Sequence, residues 1–103
     1  MGGYELVLQF RGRQVETEDE IVEIEDALSE VLVTGEACAG HDVASSARTI
    51  LVETPDAQAT FARIAPFLMR AGLIDDVVVA ARALAGTDFV TLWPRPGDPF
   101  DRR

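Results

Sequence analysis

The sequence predicts a single α+β domain, with two helices laid on one face of an antiparallel sheet. Three observations carry this prediction. Hydrophobic residues recur with a period of two in some segments and about 3.6 in others, which separates strands from helices. The segments run strand, helix, strand, strand, helix, strand, with one further strand at the end. The chain has 103 residues, 48% hydrophobic and 26% charged. That length supports one core and not two, burying about two thirds of the unfolded-chain surface.

The elements follow in order. Tyr4, Leu6, Leu8 and Phe10 alternate with Glu5, Val7 and Gln9, the pattern of a half-buried strand that ends at Arg11-Gly12-Arg13. Thr17-Glu18-Asp19-Glu20 fits a capping box, in which the Thr hydroxyl takes an amide and Glu20 reaches back. Ile21, Ile24, Leu28, Val31 and Leu32 then form one apolar helical stripe, and Gly35 is expected to close it in the left-handed conformation. Strand periodicity returns from Glu36 to Asp42 and again over Thr49–Glu53, with Ala44-Ser45-Ser46-Ala47 as the turn between them. Thr54-Pro55-Asp56 reads as the second helix start: a hydroxyl cap, proline in the first turn and an acid on the positive end of the dipole. Ala57, Phe61, Ile64, Ala65 and Leu68 supply its buried stripe, and Gly72 ends it. Pro66 lies inside this helix, where a kink is expected, facing solvent or relieved by a local 3₁₀ turn. Asp75-Asp76 turns the chain into Val77–Ala83, apolar on both faces, and Phe89–Trp93 makes the last strand. Residues 1–94 thus form the domain, and 95–103, with its prolines and charges, an extended tail.

Right-handed crossovers and one-sided helix packing turn this order into a ferredoxin-like βαββαβ sandwich with an added C-terminal strand. The sheet's other face then carries Val7 and one side of Val77–Ala83. An apolar open face calls for a cover, so face-to-face homodimerisation is expected, with a tail folded over that face as the competing arrangement.

Gly40-His41-Asp42-Val43, the Thr54-Pro55-Asp56 start with Phe61 and Pro66-Phe67-Leu68, Ala81-Arg82 and Leu92-Trp93-Pro94 carry a resemblance. Over most of residues 4–94 the chain resembles a group of small, functionally uncharacterised bacterial proteins of ferredoxin-like type. That resemblance implies the fold and supplies no reaction. Where the group often has a glycine-rich turn ending in Glu, this chain has Ala44-Ser45-Ser46-Ala47.

Each candidate for chemistry has a plainer structural explanation beside it. His41 beside Asp42 suggests a general base or pH switch, but strand neighbours point to opposite faces unless the strand bulges. Cys38 and His41 have C-x-x-H spacing, but zinc needs three or four ligands, and residues 38 and 41 are expected on opposite strand faces. Arg82 in an apolar strand suits an anionic ligand, an ion pair or a sheet edge. Trp93 suits a core plug, an interface anchor or a stacking platform. His41, Asp42, Arg82 and Trp93 are therefore the candidate ligand-binding residues. No catalytic residue, metal site or cofactor is assigned, since phosphate loops, dinucleotide fingerprints and nucleophile elbows are all absent from the sequence.

The net charge is −9, with nine arginines and no lysine among the cations. Phosphate backbones and anionic membranes both want a basic surface, so nucleic acid and membrane are not expected partners. No basic apolar leader opens the chain, and a lone cysteine fits a reducing compartment, so a soluble cytoplasmic protein is expected. The charge is concentrated: eight acids and no base lie between Glu16 and Glu30. Glu16, Glu18, Asp19, Glu20, Glu23, Asp26 and Glu30 are the candidate partner-binding residues, and a basic protein is the partner they would suit. The expected function is a non-enzymatic interaction or regulatory module. The alternative is a dimeric α+β barrel that binds or converts a small molecule between helices and sheet.

Overall fold

The computed structural model describes residues 3–10, 17–43 and 48–95. Its elements are β1 (Tyr4–Phe10), α1 (Glu18–Val31), β2 (Ala37–Val43), β3 (Arg48–Thr54), α2 (Ala57–Arg70), a 3₁₀ turn (Ile74–Asp76), β4 (Val77–Ala83) and β5 (Val90–Trp93). The five strands form one antiparallel sheet in the order β2-β3-β1-β4-β5. This is an α+β architecture consistent with a ferredoxin-like fold. The turn at 44–47 and the tail from residue 96 lie outside the described residues, while Pro94 and Arg95 are exposed.

Register explains the core. Leu6, Leu8 and Phe10 of β1 stand opposite Val52, Ile50 and Arg48 on one side and Ala81, Val79 and Val77 on the other. The apolar members of these rows meet Ile21 and Leu28 from α1 and Ala57, Ile64 and Leu68 from α2 in one buried cluster. Each Val, Leu, Ile or Phe side chain among them is worth about 1.5–3 kcal/mol when fully withdrawn from water. The two helices thus cover the same face of the sheet.

The other face departs from expectation. Val7 and Ala80 are fully buried within the single chain, as is Gln9, and Thr49 and Thr91 are 2% exposed. It is not an open apolar surface at its centre, so Val7 and Ala80 supply no ground for face-to-face pairing.

Local signals were shifted in two places. Helix α1 ends at Val31, with Leu32 already extended. Gly35 (φ 93°) therefore serves the following turn, where the Glu36 amide donates to Val33 O at 3.0 Å, and it is not the helix cap. At α2 the cap is Asp56, whose Oδ1 accepts from the Ala59 amide at 3.1 Å. Thr54 stays in the β3 ladder opposite Tyr4, so the helix starts two residues later than its hydroxyl suggests. Helix α2 continues through Pro66 with no 3₁₀ interruption, and the proline faces solvent. Its end is as expected: Gly72 (φ 73°) follows the last turn, and the Leu73 amide reaches Leu68 O at 2.9 Å.

Candidate functional site

Helix α1 sets up the most strongly charged surface. Its capping box is present: Thr17 Oγ1 accepts from the Glu20 amide at 3.2 Å, and the Thr17 amide donates to Glu20 Oε1 at 3.2 Å. With the start fixed and Ile21 and Leu28 drawn inward, the 3.6-residue repeat forces the acids outward. Asp19, Glu23, Asp26 and Glu30 are exposed and spaced four, three and four residues apart, so they form one continuous outward stripe. No base stands in the last turn of α1, where Glu30 sits at the negative end of the dipole. Glu20, by contrast, is taken up in the cap. Glu16 lies outside the described residues, as does the side chain of Glu18.

Glu36 is the residue that sequence reasoning missed as a centre of interaction. Its side chain is 5% exposed and lies between the α1–β2 turn and α2. Arg63 Nη1 donates to both oxygens, at 2.5 and 2.6 Å, and the Val33 amide donates to Oε1 at 3.0 Å. Thr60 Oγ1 donates to Oε2 at 2.6 Å. Since the Thr60 proton is spent on the carboxylate, the 2.6 Å contact between Thr54 and Thr60 hydroxyls runs with Thr54 as donor. Thr54 Oγ1 in turn accepts from the Asp56 amide at 3.1 Å. Every bond in this chain points its hydrogen toward Glu36. Burial raises the Glu36 pKa, but the bonds from Thr60, Val33 and Arg63 and the Arg63 charge outweigh it, holding the carboxyl below its ordinary value. The result is a charged clip that fastens the α1–β2 turn to α2.

The candidate ligand-binding residues do not converge. Arg82 lies on the face away from the helices, in register with Glu5, and its Nη2 is 3.4 Å from Glu5 Oε1. Its Nη1 donates to Gly86 O at 2.8 Å and approaches Ala83 O and Leu84 O at 3.4 Å, while Phe89 stacks on it at 5.8 Å. Arg82 is a clamp on the β4–β5 connection. Trp93 lies on the helix side, 6.3 Å from the Phe61 ring, and its Nε1 donates to Ile74 O at 2.9 Å. It plugs the gap between α2, the 3₁₀ turn and β5. His41 and Asp42 sit in β2 in register with Ile50 and Thr49.

A β-bulge between Cys38 and Gly40 corrects one expectation. It places positions 38 and 41 opposite Val52 and Ile50, which share a face, so these two positions are not on opposite sides of the strand. Among the described residues there is still no group of three or more His, Cys, Asp or Glu able to hold a metal. Cys38 itself is half-buried, with Sγ 3.7 Å from Ser29 Oγ and 3.8 Å from Glu25 O. Burial pushes its thiol pKa up, and the nearby Glu25 and Asp26 charges add to this against the Ser29 hydrogen bond, so it is a poor nucleophile.

A cavity of about 460 Å³ opens at the start of α2, between Tyr4, Pro55, Ala57, Ala81, Val90 and Leu92. Neither Arg82 nor Trp93 lines it, so it does not unite the residues that a barrel-type ligand site would use. Among the described residues, no helix is long and apolar enough to cross a membrane. Compared with known proteins, the chain matches no family model, no curated protein and no solved structure.

Proposed function

We propose that this chain is a ferredoxin-like interaction module, without catalytic activity, that docks a basic protein on the outer face of α1. The strand and helix order, with β5 added beside β4, supports the fold assignment. The observation that carries the docking reading is the exposed stripe of Asp19, Glu23, Asp26 and Glu30, which no ion pair joins to a base among the described residues. Like charges three or four residues apart on a helix each cost about 0.2–0.5 kcal/mol. The cap and the buried stripe hold α1; Asp19, in the first turn, suits the dipole, but the fold gains nothing from Glu23, Asp26 and Glu30. A basic partner turns the same self-repulsion into attraction and speeds encounter.

The test is affinity capture at low and high salt with the wild-type chain and the triple variant Glu23→Gln, Asp26→Asn, Glu30→Gln. The expected result is one stoichiometric, basic protein, retained by the wild type at low salt, lost at high salt and lost from the variant. Equal recovery by both chains sinks the reading, as does recovery of no protein partner at any salt concentration.

A further inference from the structure

The surface beside α1 has a second property. Among the described residues, β2 is the outer strand of the sheet, hydrogen-bonded to β3 alone. Sheet edges that must stay unpaired usually carry lysine, proline or an inward charge. The first four residues of β2, Ala37-Cys38-Ala39-Gly40, carry none of these, and Ala37 and Ala39 are exposed. The bulge between Cys38 and Gly40 is the one irregularity in the pairing of β2 with β3 and the one edge-blunting device in this segment; Ala37 and Cys38 before it keep regular register with Glu53 and Val52. An outer strand with small side chains leaves its outward amides and carbonyls sterically accessible, and such an edge accepts an added strand.

Charge says what kind of strand. Ser29 and Glu25 of α1 rest against Cys38, so α1 overlies this edge. At about 100° per residue, Val22 and Asp26 lie further round the helix from Ser29, away from the core-facing Ile21 and Leu28. Asp26 is exposed, and Val22 is 39% exposed. On the opposite side of the sheet, Ala37 is in register with Glu53, which is also exposed. An incoming strand therefore meets carboxylates on both faces and one apolar contact. A second copy of this chain is the wrong occupant, because two-fold pairing along β2 would set Asp26 and Glu53 near their own equivalents. Juxtaposed like charges oppose such an interface.

We infer that the β2 edge receives an extended basic segment of the partner by strand addition, with cationic side chains projecting to both faces. This rests on the docking reading for the sign of the partner and adds the backbone mode by which it is held. Main-chain bonds give the affinity and the alternating side chains the selectivity.

The probe is a capped octapeptide, Thr-Arg-Arg-Thr-Thr-Arg-Arg-Thr, titrated into the full chain at low salt and followed by amide NMR. Two further versions carry N-methyl groups on one or the other set of alternate backbone nitrogens. Each keeps the full charge and blocks hydrogen bonding along one edge of the peptide. The expected result is slowed amide exchange within residues 37–40 and at least tenfold weaker binding by one N-methylated version but not the other. Equal affinity of all three peptides, with shifts confined to α1, overturns strand addition and leaves docking on α1 standing. Absence of binding by any of the three, with no shift in α1, overturns the docking reading as well.

Discussion

Helices α1 and α2 are each fourteen residues long and pack on the same face of the sheet, yet they treat charge in opposite ways. In α2 the cations are put to structural use. Arg63 is bound by Glu36, and Arg70 stands in the last turn, where the dipole favours a cation. In α1 the outward charges are all of one sign, and the exposed stripe is joined to no base by an ion pair between described side chains. A charge that anchors a fold sits where its removal unfolds something; a charge kept for a partner sits where its removal relieves something. The two helices should therefore respond to neutralisation with opposite signs.

The largest expected effect is at the α2 clip. Glu36→Ala removes the acceptor of four hydrogen bonds. Thr60 can turn its proton to Thr54, which donates on to Asp56 O. The Val33 amide and Arg63 nevertheless lose a charged acceptor, and the change should cost about 2 kcal/mol. Arg63 keeps 34% of its side chain in water, which limits the penalty of leaving it unpaired. Urea unfolding of Glu36→Ala and of Thr60→Val would check this, and an unchanged midpoint for Glu36→Ala would remove the contrast between the helices. The clip also sets a pH dependence. Because the folded carboxyl is held below its ordinary value, its contribution is fully present above the unfolded pKa, about 4.3 for Glu. It is then lost as pH falls through the lower folded value. Glu36→Gln should flatten this acid limb, and an acid limb as steep as that of the wild type would count against the assignment.

Smaller effects are expected where a polar side chain ties a connection to the fold. Trp93→Phe keeps an aromatic ring near Phe61 but loses the bond to Ile74 O, a change of about 1 kcal/mol. Arg82→Met keeps the aliphatic stem and loses both the ion pair to Glu5 and the contacts to the carbonyls of Ala83, Leu84 and Gly86. It should raise amide exchange in residues 84–89 far more than it shifts global unfolding, again by about 1 kcal/mol. Protection of 84–89 as strong as in the wild type would refute the clamp.

These tests also mark what the sequence made legible. The capping box at Thr17, the inward stripe of Ile21 and Leu28, and the limits of β4 were readable because each is decided within one or two turns or a single strand. Strand pairing moved the start of α2: Thr54 and Asp56 are both good caps, and only the ladder with Tyr4 decides between them. The bulge after Cys38 left no turn residue pattern beyond Gly40 itself, so the facing of positions 38 and 41 was read the wrong way. Glu36 escaped for a different reason. Its partners Thr60 and Arg63 lie 24 and 27 residues away, and nothing local distinguishes it from the exposed acids before it. Arg82 was singled out correctly as odd in its strand, but its use depended on a connection that folds back over it.

The smallest expected effect is also the one that separates the helices most cleanly. Neutralising Glu23, Asp26 and Glu30 removes the like-charge contacts Asp19–Glu23, Glu23–Asp26 and Asp26–Glu30, and the unfavourable carboxylate at the end of the dipole. Each such contact is worth about 0.2–0.5 kcal/mol, so the triple variant should be more stable than the wild type by about 1 kcal/mol at low salt. Salt stabilises the wild-type helix by screening the same repulsion, and therefore the gain should shrink as ionic strength rises past about 0.15 M. Thermal unfolding of both chains across a salt series measures this directly. A variant that is stabilised and loses its partner would show that the stripe is held against the interest of the fold. A variant less stable than the wild type would mean that these carboxylates serve the helix after all, and that α1 differs from α2 only in the sign of the charges it uses.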